Sequence, residues 1–305
     1  MKKQLWWVIM PLMVIALSAC DKEGPINDDN GNNLGNGNSS GQDFNIFSPV
    51  SYDDMVYVEG GTFLMGAQSI SKHAKNYNYE ARSNERPVHN VTVSSYYISK
   101  YEVTQEMWEY VMLYSGKAAD GSTMSPIDNG PWLGPNDLRP NDNRGRGAYY
   151  PAYFVSYEDI VNHFIPRINK ITGITFSLPT EAEWEFAALG GNKSNGYRYS
   201  GSTTSYYVAW YWEITQNLHH VAELYPNELG LYDMSGNVWE WCSDWYGNYD
   251  DSSQTNPTGP SSGSNRVVKG GSWYDSVTTC RVTCRSSATP SYRAFNVGFR
   301  LVCRK

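Results

Sequence analysis

The chain has 305 residues, a formal charge of −7, and hydrophobic residues at 40% of its positions. That is enough length and apolar material to bury a core, in one large domain or two small ones. An acidic balance with no basic stripe excludes a nucleic-acid binder, because phosphate backbones need a cationic footprint.

Lys2 and Lys3 precede an apolar run from Leu5 to Leu17, which has signal-peptide length and is short for a membrane span. It ends in Leu17-Ser18-Ala19-Cys20, which resembles the lipobox of bacterial lipoproteins. In that class the cut falls before the cysteine, which is then lipidated. Residues 1–19 are therefore expected to be a signal peptide and Cys20 a lipid anchor; the bland alternative is an ordinary signal peptide with a chance cysteine. Loss of Lys2 and Lys3 takes the charge from −7 to −9. Residues 21–44 are rich in Asn, Gly, Asp and Ser and have almost nothing to bury, so residues 20–45 read as the lipidated Cys20 and a disordered tether. Such a tether reaches roughly 25–30 Å. The expected place is the cell envelope, anchored in the outer membrane and facing either the periplasm or the surface. A protein or glycan of that compartment is the expected partner.

The folded domain is expected over 46–305. Met55–Met65 reads as two short strands around Gly60-Gly61, a pair that suits a tight hairpin turn. Val88–Ile98 alternates and reads as one strand. Thr104 caps a helix running to about Met112, with Met107, Trp108, Val111 and Met112 on its apolar stripe. Residues 115–150 form a long loop rich in Gly, Pro, Asn and Asp, a kind that is often functional. Ser156 and Asp159 open a helix that Gly173 ends, and Pro166 inside it predicts a kink or break. Ile174–Leu178 reads as a short strand. Thr180-Glu-Ala-Glu183 is a capping box for a helix to Leu189, closed by Gly190-Gly191. The aromatic and glycine content predicts an irregular, loop-rich fold.

Apart from Cys20, the cysteines are Cys242, Cys280, Cys284 and Cys303. In an oxidising compartment four thiols favour disulfides, with three connectivities open. Cys242 with Cys280 is the pairing expected, since each sits in a motif described next.

Glu59-Gly-Gly-Thr-Phe-Leu-Met-Gly66, Leu178-Pro-Thr-Glu-Ala-Glu-Trp-Glu-Phe-Ala-Ala188, Gly230-Leu-Tyr-Asp-Met-Ser-Gly-Asn-Val-Trp-Glu-Trp241, and Gly270-Gly-Ser-Trp273 with Asn296-Val-Gly-Phe-Arg300 occur in this order. Arg86-Pro-Val-His89 and Lys100-Tyr-Glu-Val-Thr104 accompany them. Together they resemble the formylglycine-generating enzyme (sulfatase-modifying factor) family over about residues 54–303. The resemblance implies an α+β fold: a single mixed domain with low regular secondary structure, related to C-type lectins, with bound calcium. It also implies oxidation of a sulfatase cysteine to formylglycine by molecular oxygen, at two cysteines that bind copper(I).

The Asp233–Glu240 segment has its own reading. Calcium takes six to eight oxygens from carboxylates and carbonyls on a bending chain. Asp233 and Glu240 offer carboxylates, and Gly236 and Val238 offer carbonyls, at positions that family members use. The bland alternative is a turn-and-strand packing motif. At the catalytic positions, Ser272 and Cys280 match the family, whereas Asp275 stands where the first cysteine belongs. A carboxylate is a poor ligand for soft copper(I) and cannot exchange disulfides. The standard oxidation is therefore expected to be lost, leaving an anchored binding or structural module. The competing reading is an active oxidoreductase in which Cys284 or Cys242 supplies the second sulfur to Cys280. His219 and His220 with Glu223 carry metal-ligating types without a metal-site spacing, and read as exposed or packing histidines. Trp239, Trp241, Trp245 and Trp273 read as core, while Tyr149, Tyr150, Tyr206 and Tyr207 are surface aromatics able to face a ligand.

Overall fold

The computed structural model describes residues 54–127 and 145–304, within one compact unit that spans 45–305. The signal peptide, Cys20 and the tether lie outside the described residues, as does part of the 115–150 loop.

The first two strands form as expected, β1 (Met55–Val58) and β2 (Gly61–Met65). They do not form a hairpin. The expected single strand over Val88–Ile98 divides at Ser94-Ser95 into β3 (His89–Val93) and β4 (Tyr96–Ser99). β1 pairs with β4, placing Val56 opposite Ile98, while β2 pairs with β3, placing Phe63 opposite Val91. Two chain segments thus pass side by side from one sheet to another. At the crossing, a Cβ on Gly60 would sit 2.6 Å from the Val93 carbonyl oxygen and 2.8 Å from the Ser95 nitrogen. Glycine is required there by backbone approach rather than by turn geometry.

Helix α1 (Gln105–Leu113) begins where Thr104 Oγ1 accepts from the Met107 amide at 3.2 Å, and it buries Met107, Trp108, Val111 and Met112. The short strands β5 (Gly116–Lys117) and β6 (Thr123–Met124) pair with each other. The next helix starts with a Ser156/Asp159 capping box at α2 (Tyr157–Asp159), and α3 (Ile165–Thr172) ends at Gly173 with φ +72°. Between them Ile160–Phe164 is a π-helical turn. The kink expected from Pro166 takes this form: a proline cannot donate to the ladder, and the widened turn just before it absorbs the mismatch. After β7 (Phe176–Ser177), Thr180 and Glu183 close the predicted capping box on α4 (Glu181–Ala188). The remaining strands are β8 (Trp239–Trp245), β9 (Gln254–Thr255), β10 (Arg266–Lys269), β11 (Arg285–Ala288), β12 (Val297–Gly298) and β13 (Val302–Cys303).

The two larger sheets run β1-β4-β13-β7 and β11-β10-β8-β12, and a smaller one runs β2-β3-β9. One apolar core gathers Trp108, Phe164, Trp241 and Phe299; a second gathers Val58, Ile98, Trp184 and Phe186. Trp241 and Trp273 are core residues as expected, and Trp245 lies under the Arg266 guanidinium.

Every residue of α4 is buried, three glutamates included. The C-terminal quarter neutralises them: Arg285 clasps Glu181, Arg304 clasps Glu183, and Lys269 reaches Glu185 at 2.8 Å. The same quarter sends Arg281 to Glu85, Arg293 to Asp159 and Arg300 to Glu240. A buried charge is costly without such a partner, so these pairs fix how the C-terminal quarter docks on the rest of the domain.

The expected Cys242–Cys280 disulfide is not formed. Cys242, Cys280 and Cys284 are free, buried thiols. Cys242 belongs to the second core, whereas Cys280 packs with Tyr199, Val208 and Ala209 in a separate cluster. Burial pushes the Cys242 and Cys284 thiols above the ordinary range, so each behaves as a small apolar side chain. Cys303 is buried in β13.

Candidate functional site

The site centres on the turn after β10. Gly270 and Gly271 take φ +97° and +75°, a conformation that glycine adopts without strain. This drops Ser272 into full burial and brings Asp275 back over it. The Ser272 hydroxyl donates a hydrogen bond to Asp275 Oδ2. The Trp239 indole donates to the same oxygen at 2.9 Å, and the Asn296 amide at 3.3 Å. Asn296 also donates to Ser272 Oγ at 3.1 Å. At the position that the family resemblance assigns to a first cysteine, this chain has a carboxylate held by three donors from three separate segments. Trp212 and Tyr274, about half exposed, meet edge to face at 5.3 Å beside it, and Phe295 backs Tyr274 at 4.8 Å.

Cys280 lies beneath the same turn. A Cβ on Gly271 would come within 2.9 Å of its sulfur, which shows how closely the backbone covers the thiol. Cys280 is fully buried. Burial pushes its thiol far above the ordinary range, and the nearby Asp275 and Cys284 reinforce the shift against a hydrogen bond with Thr279. Cys284 is thus the neighbouring sulfur, and Cys242 is not. A sealed thiol of this kind lacks the thiolate that copper(I) binding and disulfide exchange require.

The Asp233–Glu240 segment turns tightly, with positive φ at Asp233, Gly236 and Asn237. A Cβ on Gly236 would fall 2.2 Å from the Trp210 carbonyl oxygen, so this glycine also admits a neighbouring strand. Asp233 Oδ2 accepts from the Ala222 amide at 2.7 Å. Glu240 has a role that the sequence did not predict: Arg300 donates to both of its oxygens, at 2.6 and 2.7 Å, and the Trp184 indole donates at 2.7 Å. Glu102 also escaped sequence reasoning. It is fully buried, and neither carboxylate oxygen has a hydrogen-bond partner. Burial and the charges of Asp233 and Glu240 push its carboxyl well above the usual range, against the opposing pull of Arg300. Burial likewise lifts Asp233 to about 6. Three carboxylates therefore share one guanidinium. Among the described residues, no three His, Cys, Asp or Glu side chains converge in ready metal-binding geometry. A cation beside Glu102 and Asp233 would draw its other ligands from the backbone.

His219 stacks on Trp210 with ring centres 3.5 Å apart. Its Nδ1 meets Glu223 at 2.9 Å and its Nε2 meets Thr215 at 2.8 Å, while His220 Nδ1 meets the other Glu223 oxygen at 3.3 Å. This is packing and carboxylate orientation.

The model of the sulfatase-modifying factor enzyme 1-like domain matches residues 44–305. A chaperone protein LppX of Paenibacillus barcinonensis is 32% identical, over 76% of this chain and 82% of its own length. A formylglycine-generating enzyme of Streptomyces coelicolor is 30% identical, over 83% of this chain and 90% of its own. Among solved structures, Treponema denticola variable protein 1 superposes with a TM-score of 0.62 at 28% identity, over 82% of this chain and 95% of that one. The family model spans the whole described unit, including the turn that carries Ser272, Asp275 and Cys280, and the chain belongs to the sulfatase-modifying factor (formylglycine-generating enzyme) family.

Proposed function

We propose that this chain is an exported, lipid-anchored member of the family that no longer converts cysteine to formylglycine and serves as a binding or structural module of the cell envelope. The observation that carries this reading is the Asp275 carboxylate, fastened by Ser272, Trp239 and Asn296 where a copper-binding thiolate belongs. The sealed Cys280 thiol supports it, as does similarity to a relative named as a chaperone rather than as an oxidase. The lipobox-like Cys20 and the polar tether that follows supply the anchoring half. The alternative is an oxidoreductase pairing Cys280 with Cys284, and it needs the turn over Cys280 to open.

A copper(I) titration against a chromophoric chelator, followed by incubation with a sulfatase-type cysteine peptide, separates the two. The expected result is no stoichiometric copper(I) and no peptide aldehyde. One copper(I) per chain, lost on Cys280→Ser together with aldehyde formation, would establish the alternative.

We also propose a resident calcium ion at the Asp233–Glu240 turn, held by Asp233 and the Gly236 and Val238 carbonyls as expected from the sequence, with Glu102 in the place expected for Glu240, whose oxygens Arg300 and Trp184 engage. The fully buried Glu102 carboxyl, without a hydrogen-bond partner, supports the ion, which would supply the countercharge that lets it ionise. Binding to the folded state alone raises the melting temperature as calcium rises. After chelation, added calcium is expected to raise it, and Asp233→Ala to abolish the rise. An unchanged melting temperature at millimolar calcium would remove the proposal.

A further inference from the structure

On the 203–232 segment, a groove of about 660 Å³ lies between the Tyr206, Tyr207, Trp210, Tyr225 and Tyr232 rings and the Glu223 carboxylate. The Tyr225 amide donates to the Tyr207 carbonyl at 3.0 Å and ties together two of the segments that line the groove. Tyr206, Tyr207 and Tyr225 are 64%, 51% and 70% exposed. Their rings do not lie flat: Tyr206 and Tyr207 meet at 79° and 5.7 Å, Tyr207 and Tyr225 at 56° and 6.4 Å. They stand as inclined walls, the arrangement of a cage rather than of a stacking platform. His219 and His220 face Glu223 and keep its carboxylate oriented.

Charge selects the occupant. Elsewhere this chain covers its aromatic faces with its own cations. Arg198 lies over Tyr79 and Tyr199 and pairs with Glu80; Arg285 lies over Tyr246 and Tyr249 and pairs with Glu181. The groove has the rings and the acid, yet among the described residues no lysine or arginine lines it. Ring faces carry negative potential but no lone pair to coordinate a metal, so they attract bulky, weakly hydrated cations rather than metal ions. A cleft of this volume holds a whole small molecule.

We propose that this groove binds an organic cation, a quaternary ammonium or guanidinium group, caged by Tyr207 and Tyr225 and countered by Glu223. The site deepens the binding-module reading, but it contains none of Ser272, Asp275 or Cys280. An active oxidase could carry the same groove, so the two ideas fail separately.

The test is calorimetric titration of the full domain at about pH 8, where histidine is ordinarily neutral. The probes are choline, agmatine, methyl glucoside and 3,3-dimethylbutanol, the uncharged isostere of choline. Saturable binding of choline or agmatine is expected in the roughly millimolar range, at least about tenfold tighter than the isostere. Preference for choline identifies a quaternary ammonium and preference for agmatine a guanidinium. Glu223→Gln and, separately, Tyr207→Leu with Tyr225→Leu are each expected to weaken binding about tenfold, or about 1.4 kcal/mol. Equal binding of choline and its isostere, binding of the glucoside alone, or no saturation by either cation overturns the proposal on the native protein, whatever the variants do.

Discussion

Replacement of Arg300 by Met is expected to lower the unfolding free energy by about 3–5 kcal/mol, the loss typical of a buried ion pair left with one member. Arg300 is fully buried and donates to Glu240 through two nitrogens, with further bonds to the Ser99 carbonyl at 3.1 Å and the Tyr232 carbonyl at 2.9 Å. It is also the cation that Glu102 and Asp233 share with Glu240. Methionine fills similar space but strands all three acids. Urea unfolding in calcium-free buffer at pH 7 measures the loss. Two companions make the charge argument specific. Arg300→Lys keeps the charge and loses the fork, so it falls between. Glu102→Gln removes an acid that burial makes costly to ionise, so without calcium it stabilises the domain, and with calcium it weakens the ion's effect. A loss below about 1 kcal/mol for Arg300→Met, the range of an exposed pair, would show that this cluster is solvated.

The parts of this fold that were legible in the sequence are those decided within a few residues. The Thr104, Ser156–Asp159 and Thr180–Glu183 caps each join residues three positions apart, and all form as expected. The strand pairing was not legible, because Gly60-Gly61 looks the same in a hairpin turn and in a crossing between sheets. The difference lies in Val93 and Ser95, more than 30 positions away. The ionic framework is more distant still: Glu85 and Arg281 are 196 residues apart, Glu240 and Arg300 are 60 apart. At the candidate site, Asp275 was visible as a departure from the family pattern. Its donors Trp239 and Asn296 stand 36 and 21 residues away, so its fastening was not. Glu102 sits in a recognisable motif, but nothing local marks a glutamate for burial without a partner. Only the assembled charges of Asp233, Glu240 and Arg300 reveal what it lacks.

Raising the pH from about 4 to 7 is expected to reduce the stability of the native domain, and Asp244→Asn to remove much of that slope. Asp244 is 4% exposed near the C-terminal end of β8. Burial pushes its carboxyl up to about 7, and the Glu181 charge adds to the shift. Hydrogen bonds to Oδ2 from the Glu181 amide, at 3.0 Å, and from the Ser243 hydroxyl, at 3.1 Å, only partly oppose it. The unfolded chain binds this proton near pH 4 and the folded chain near 7, so the folded state holds the proton more tightly. The stability linked to it is fully present below pH 4 and is lost as pH rises through 7, up to about 4 kcal/mol in all. Asp159, Glu85 and Glu181 act in the opposite direction. Despite burial, arginine partners hold their carboxyls below the usual range, so what they contribute is lost in stronger acid. The two trends place the stability maximum in mild acid. Asparagine keeps the Oδ acceptor and carries no charge, so the variant should match the native protein near pH 4 and exceed it at pH 7. Paired urea midpoints across this range, at fixed ionic strength and without calcium, read the difference. Parallel profiles for the two proteins would mean that Asp244 ionises freely in the folded state, and that the acid beside Glu181 is solvated rather than sealed.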